Sequence, residues 1–119
     1  MTGAPVPPDD ATILARGVEL FNRGAFWEAH EAWEELWLRA GPDIRLFVQG
    51  LIQLAAAWHH VGRGNTRGAE RLFRAGLAKL APYRPVQAGI DVSEAAARAE
   101  EMLARGMDSA SAPPLLAMR

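Results

Sequence analysis

The sequence predicts an all-α fold: a compact bundle of about five helices, arranged as two similar hairpins and a C-terminal lid helix. Three observations predict it. Apolar residues recur at helical spacing along the chain, and no segment shows the period-two alternation of a strand. Glycine and proline punctuate the chain at Gly24, Gly41-Pro42, Gly64, Pro82, Pro85 and Gly106, leaving intervals of helical length between them. Finally, Gly24-Ala25-Phe26 followed by Ala29 and Trp33 returns 40 residues later as Gly64-Asn65-Thr66 followed by Ala69 and Phe73.

Each element rests on a local signal. Pro7-Pro8-Asp9 ahead of a periodic apolar run marks the first helix, with Asp9 or Asp10 as cap and Ile13, Leu14, Val18 and Phe21 as its inner face. Gly24 ends it. The second helix is expected from about Ala25 to Ala40, where Gly41-Pro42 stops it. The third begins near Asp43 and runs to about Gly62, and the fourth follows Gly64-Asn65 and ends before Pro82 and Pro85. Asp91, spaced from Glu94 as in a capping box, opens the fifth, and Gly106 closes it. The repeat makes helices 1–2 and 3–4 matching hairpins. Small residues at such turns let helices approach closely, the logic of tetratricopeptide hairpins, although the repeat length here differs. Residues 1–8 read as a flexible N-terminal segment, 9–106 as a single helical domain and 107–119 as a loose tail.

Composition narrows the function classes. A chain of 119 residues, half of them hydrophobic and 23% charged, suits one soluble globular domain. The absence of cysteine excludes disulfides, thiolate zinc sites, iron–sulfur clusters and cysteine nucleophiles. Met1–Asp10 lacks the basic start of a signal peptide, and the longest apolar run, Leu51–Trp58, is too short to span a bilayer. A cytoplasmic protein without a membrane partner is expected. The net charge of −1 conceals an asymmetry: seven acids against three bases in residues 1–40, but seven bases against two acids in residues 41–90. An acidic helix and a basic helix therefore complement each other, within one chain or between two.

The stretch Phe26–Trp37 is the most informative. It holds three of the four tryptophans, four of the fourteen acids and one of the three histidines. At about 100° per residue, Phe26, Ala29, Trp33, Leu36 and Trp37 form one apolar arc, which Trp27 and Leu38 extend sideways. His30 and Glu34 fall inside that arc, one turn apart, and are expected to be buried together. In the third helix, Leu46–Val61 contains no Lys, Arg, Asp or Glu, as befits a central helix buried on most sides. Its Gln49, Gln53 and His60 share one stripe, while His59 points elsewhere, alongside Val48 and Ile52. If that stripe faces inward, its amides need partners, and His30 with Glu34 is the obvious pair.

Phe21-Asn22-Arg23-Gly24, the Phe26–Trp37 stretch, Gln49-Gly50-Leu51-Ile52-Gln53-Leu54-Ala55 and His60…Gly64-Asn65…Gly68-Ala69 together resemble the bacterial domain-of-unknown-function family 309, over roughly residues 10 to 80. The resemblance implies a compact helical bundle and brings no activity with it. It also implies that His30, Glu31, Glu34, Gln49, Gln53, His60 and Asn65 stand at the family's polar positions.

Three chemistries compete for these residues. A divalent metal could be held by His30, Glu34 and His60, with Glu31 as general base of a hydrolase-like enzyme. His30-Glu31-Ala32-Trp33-Glu34 echoes the zinc-protease helix, but Glu34 stands where its second histidine belongs. Trp27 likewise occupies the place of the glutamate in a di-iron pair. A His–Glu pair that fixes packing explains the same residues, so no cofactor is expected. Second, Arg63, Arg67, Arg71 and Arg74 form a basic ridge that could track phosphates. The ridge has no interleaved aromatics, and a solvated face pairing with Glu28, Glu31 or Glu35 explains it more cheaply than a nucleic acid. The third and preferred reading is a non-enzymatic binding or scaffold module, a homodimer or the receptor of another protein. Four tryptophans exceed what one modest core needs.

Overall fold

The computed structural model describes residues 8–107 and Leu116. Five α-helices follow one another: α1 Pro8–Asn22, α2 Phe26–Arg39, α3 Pro42–Gly62, α4 Thr66–Leu80 and α5 Val92–Ala104. The expected all-α bundle is therefore the observed one. Its helices pack largely in chain order, α1 on α2, α2 on α3, α3 on α4, with α5 against α4. The charge-free run of α3 is explained by this position: a helix covered by neighbours on two sides has little surface left for ions. Phe47, Val48, Leu51, Leu54, Ala55 and Ala57 are all buried along it.

The repeated turns are built alike. After α1, Gly24 takes a positive φ of 83°, its N–H reaches the Phe21 carbonyl, and the Ala25 N–H reaches back to Leu20 at 2.9 Å. After α3, Gly64 has φ 76°, its N–H bonds Val61, and the Asn65 N–H bonds His60 at 2.9 Å. This pair of bonds ends a helix and satisfies its last carbonyls, and the left-handed backbone it requires is why glycine recurs there. Each following helix then buries the matching pair completely, Ala29 with Trp33 and Ala69 with Phe73. In the first hairpin the Trp33 indole donates from Nε1 to the Leu14 carbonyl at 3.1 Å, tying α2 to α1.

Several local expectations are revised. Asp9 and Asp10 lie within the first turn of α1 instead of capping it; acids there still suit the positive helix end, and Asp10 pairs with Arg39 at 2.8 Å. Arg63 is the residue that closes α3, so the α4 ridge proper begins at Arg67. A two-residue antiparallel pair, Val86–Gln87 with Ile90–Asp91, intervenes before α5. Ala88 and Gly89, both at positive φ, form its turn, a segment too short to show any periodicity. Asp91 then caps α5 as expected, accepting from the Glu94 N–H at 2.9 Å. The flexible segment expected at residues 1–8 lies outside the described residues, apart from Pro8, where α1 begins. The tail expected to be loose also lies mostly outside them, but Met107 and Leu116 are buried in the core.

Candidate functional site

The expected polar cluster divides into two places. On α2, His30 Nε2 stands 3.2 Å from Glu34 Oε2. The histidine side chain is 17% exposed and the glutamate 53%, so the two are not buried together. The reason is their position at the rim of the apolar arc, whose centre is occupied by Ala29, Trp33 and Leu36. Glu31 is exposed. On α3, Gln49, Gln53 and His60 are half-buried. His60 lies in the last turn of α3, against the α3–α4 turn. Asn65 accepts from the Gly68 N–H through Oδ1, which aims its Nδ2 at His60 Nδ1, 3.3 Å away. Since Nδ2 can only donate, His60 Nδ1 accepts there.

The histidine that does approach the α2 pair is His59. Its ring lies 5.0 Å from that of Trp27, and Trp27 stacks on His30 with ring centres 4.4 Å apart and planes at 12°. The site that forms is thus a shelf of Trp27, His30 and His59 at the open end of the α2–α3 seam. Burial holds the His59 pKa below its ordinary value of 6.5, helped by the positive charge of Arg63 and by His60 and His30, and opposed by Glu28. At the other end of the same seam the Arg45 guanidinium lies over the Trp37 ring, 4.1 Å from its centre.

Sequence reasoning placed Trp27 beside the arc and sent His59 away from the cluster. One signal was present: His59 shares its side of α3 with Val48, which is fully buried, so that side had to meet another helix. Three buried polar atoms on these two helices, His30 Nδ1, Trp37 Nε1 and Gln53 Oε1, have no hydrogen-bond partner among the described residues.

Among the described residues, no three His, Asp or Glu side chains converge as metal ligands would, and His60 is not brought to His30 and Glu34. The basic ridge is exposed at Arg63, Arg67, Arg71 and Arg74. The ion pairs of the described residues run mostly within helices, Arg74 with Glu70 at 3.8 Å, Arg98 with Glu94 at 2.9 Å and Arg23 with Glu19. Among the described residues, none joins a ridge arginine to Glu28, Glu31 or Glu35. No described helix is long and apolar enough to cross a membrane.

Comparison with known proteins bears on the same residues. Residues 14–72, which contain α2, α3 and the shelf, match the family described as Domain of unknown function (DUF309). An uncharacterized protein of Aquifex aeolicus (strain VF5) is 32% identical over 108 residues, 90% of this chain and 32% of its own length. The uncharacterized protein YpuF of Bacillus subtilis (strain 168) is 39% identical over 72 residues, 59% of this chain and 41% of its own. The chain thus spans about a third to two fifths of these curated relatives. On its match over residues 14–72, the chain belongs to the DUF309 family.

Proposed function

We propose that this chain is a small non-enzymatic binding module of the cytoplasm, with tetratricopeptide-like hairpins, that works by self-association. The acidic outer face of α2 meets the arginine ridge of α4 on a second copy. The observation that carries this reading is an exposed apolar pair on a charged face. Trp27 is 42% exposed and Leu38 71%, and with Glu31 and Glu34 they share one side of α2. A face bearing two large apolar side chains among acids suits a partner that covers the apolar groups and matches the charge. The ridge of Arg67, Arg71 and Arg74, with Arg63 before it, supplies that match on another copy. A two-fold arrangement lets each chain give α2 to one contact and α4 to the other.

Sedimentation velocity over a salt series tests it. The expected result is a dimer at low ionic strength that weakens as salt rises, because charges at the rim of a contact are screened within about 10 Å at 0.1 M salt. Trp27→Ser should weaken it at every salt concentration. A chain that stays monomeric at low salt and high protein concentration would contradict the proposal.

A further inference from the structure

Asn22, the last residue of α1, spends its side chain on a residue 94 positions away. The Leu116 N–H donates to Asn22 Oδ1 at 2.7 Å, and Asn22 Nδ2 donates to the Leu116 carbonyl at 3.2 Å. One amide thereby takes both main-chain groups of a single residue, as a neighbouring strand takes those of a paired residue. The Leu116 side chain is 4% exposed and packs into the same core as Val18 and Phe21.

The turn itself does not need this amide. The second hairpin closes with the same two hydrogen bonds and carries Gly62 at the position matching Asn22. Asn22 is therefore available for recognition, and its contact with Leu116 reads peptide backbone, which any residue but proline supplies, plus one apolar side chain.

We propose that Asn22 and the apolar ground under Leu116 form a recognition site for a leucine-bearing peptide, with this chain's own Leu116 as the ligand that occupies it. The site lies at the α1–α2 turn and uses none of the shelf residues or ridge arginines, and it stands whether or not the chain self-associates. Occupancy in cis keeps it closed to other peptides; a chain whose Leu116 cannot dock opens it.

The test uses the full chain. Leu116→Asp places a charge where the leucine is buried and so empties the site, and a fluorescein-labelled peptide of residues 111–119 with its natural sequence is the probe. The peptide should bind the Leu116→Asp chain, and bind at least ~10-fold more weakly to the unaltered chain, whose site is filled, and to the Asn22→Ala/Leu116→Asp chain. Thermal melting of each variant checks that it is folded. Amide hydrogen exchange by NMR gives an independent reading without loss of the leucine: the Leu116 N–H should be protected in the unaltered chain and unprotected in Asn22→Ala. A Leu116 amide that exchanges equally fast in both chains, or peptide binding indifferent to Asn22, overturns the proposal.

Discussion

His59 and Glu34 show how position on a helix sets the worth of a charge. His59 resists protonation in the folded chain because it is partly buried beside Arg63, His60 and His30, with Glu28 alone opposing. The unfolded chain, in which His59 is no longer buried, binds the proton more readily, so acid favours unfolding. Its contribution to stability is complete above the ordinary imidazole value of 6.5 and is lost as pH falls from there through the lower folded-state value. Melting temperatures measured from about pH 8 to about pH 5 should fall more for the natural chain than for His59→Gln. Equal falls would assign the acid sensitivity elsewhere. Glu34 is the opposite case. With its side chain 53% exposed, its pairing with His30 is screened by water. Glu34→Ala should therefore lower the unfolding free energy from denaturant titration by less than about 1 kcal/mol. A larger loss would mean that the pair anchors the fold. The sequence displayed the His–Glu spacing plainly, but not which edge of the apolar arc would be covered, because that depends on where α1 and α3 lie.

Among the elements, the α1–α2 contact is the most exacting. A Cβ on Gly17 would fall 2.0 Å from Trp33 Nε1, and the indole is fully buried and fixed by its bond to Leu14. Alanine in place of glycine gains about 1 kcal/mol of helix propensity. Overpacking against a rigid ring costs about 1–3 kcal/mol, and more where nothing can yield. Gly17→Ala should thus lower stability in chemical denaturation; unchanged or raised stability would show that the indole moves aside. Helix ends were legible because glycine at positive φ and an Asp or Asn cap are local signals, as Gly24, Gly64, Asn65 and Asp91 illustrate. The close approach at Gly17 was not, since a glycine inside a helical pattern looks the same whether it faces a ring or water. The Val86–Asp91 hairpin escaped notice for a related reason: two-residue strands carry no periodicity.

At the scale of the molecule, the repeat foretold the architecture, because two equal turns oblige two equal hairpins to stack. It did not foretell the bond between Asn22 and Leu116, which joins positions with no shared period. The charge asymmetry was equally visible, and its resolution within one chain was a reasonable expectation. Among the described residues the helices pair their charges mostly along their own length, and the α2 acids and the α4 arginines are exposed. Self-association is the central claim that follows, and it has a direct test. Glu31→Lys/Glu35→Lys sets positive α2 against positive α4 in any dimer of that variant, and Arg67→Glu/Arg71→Glu sets negative against negative. Mixing the two restores opposite charge at both contacts. Sedimentation velocity should find each variant monomeric alone and the equimolar mixture dimeric. Variants that dimerise as readily alone as when mixed, or a mixture that stays monomeric, would contradict the account.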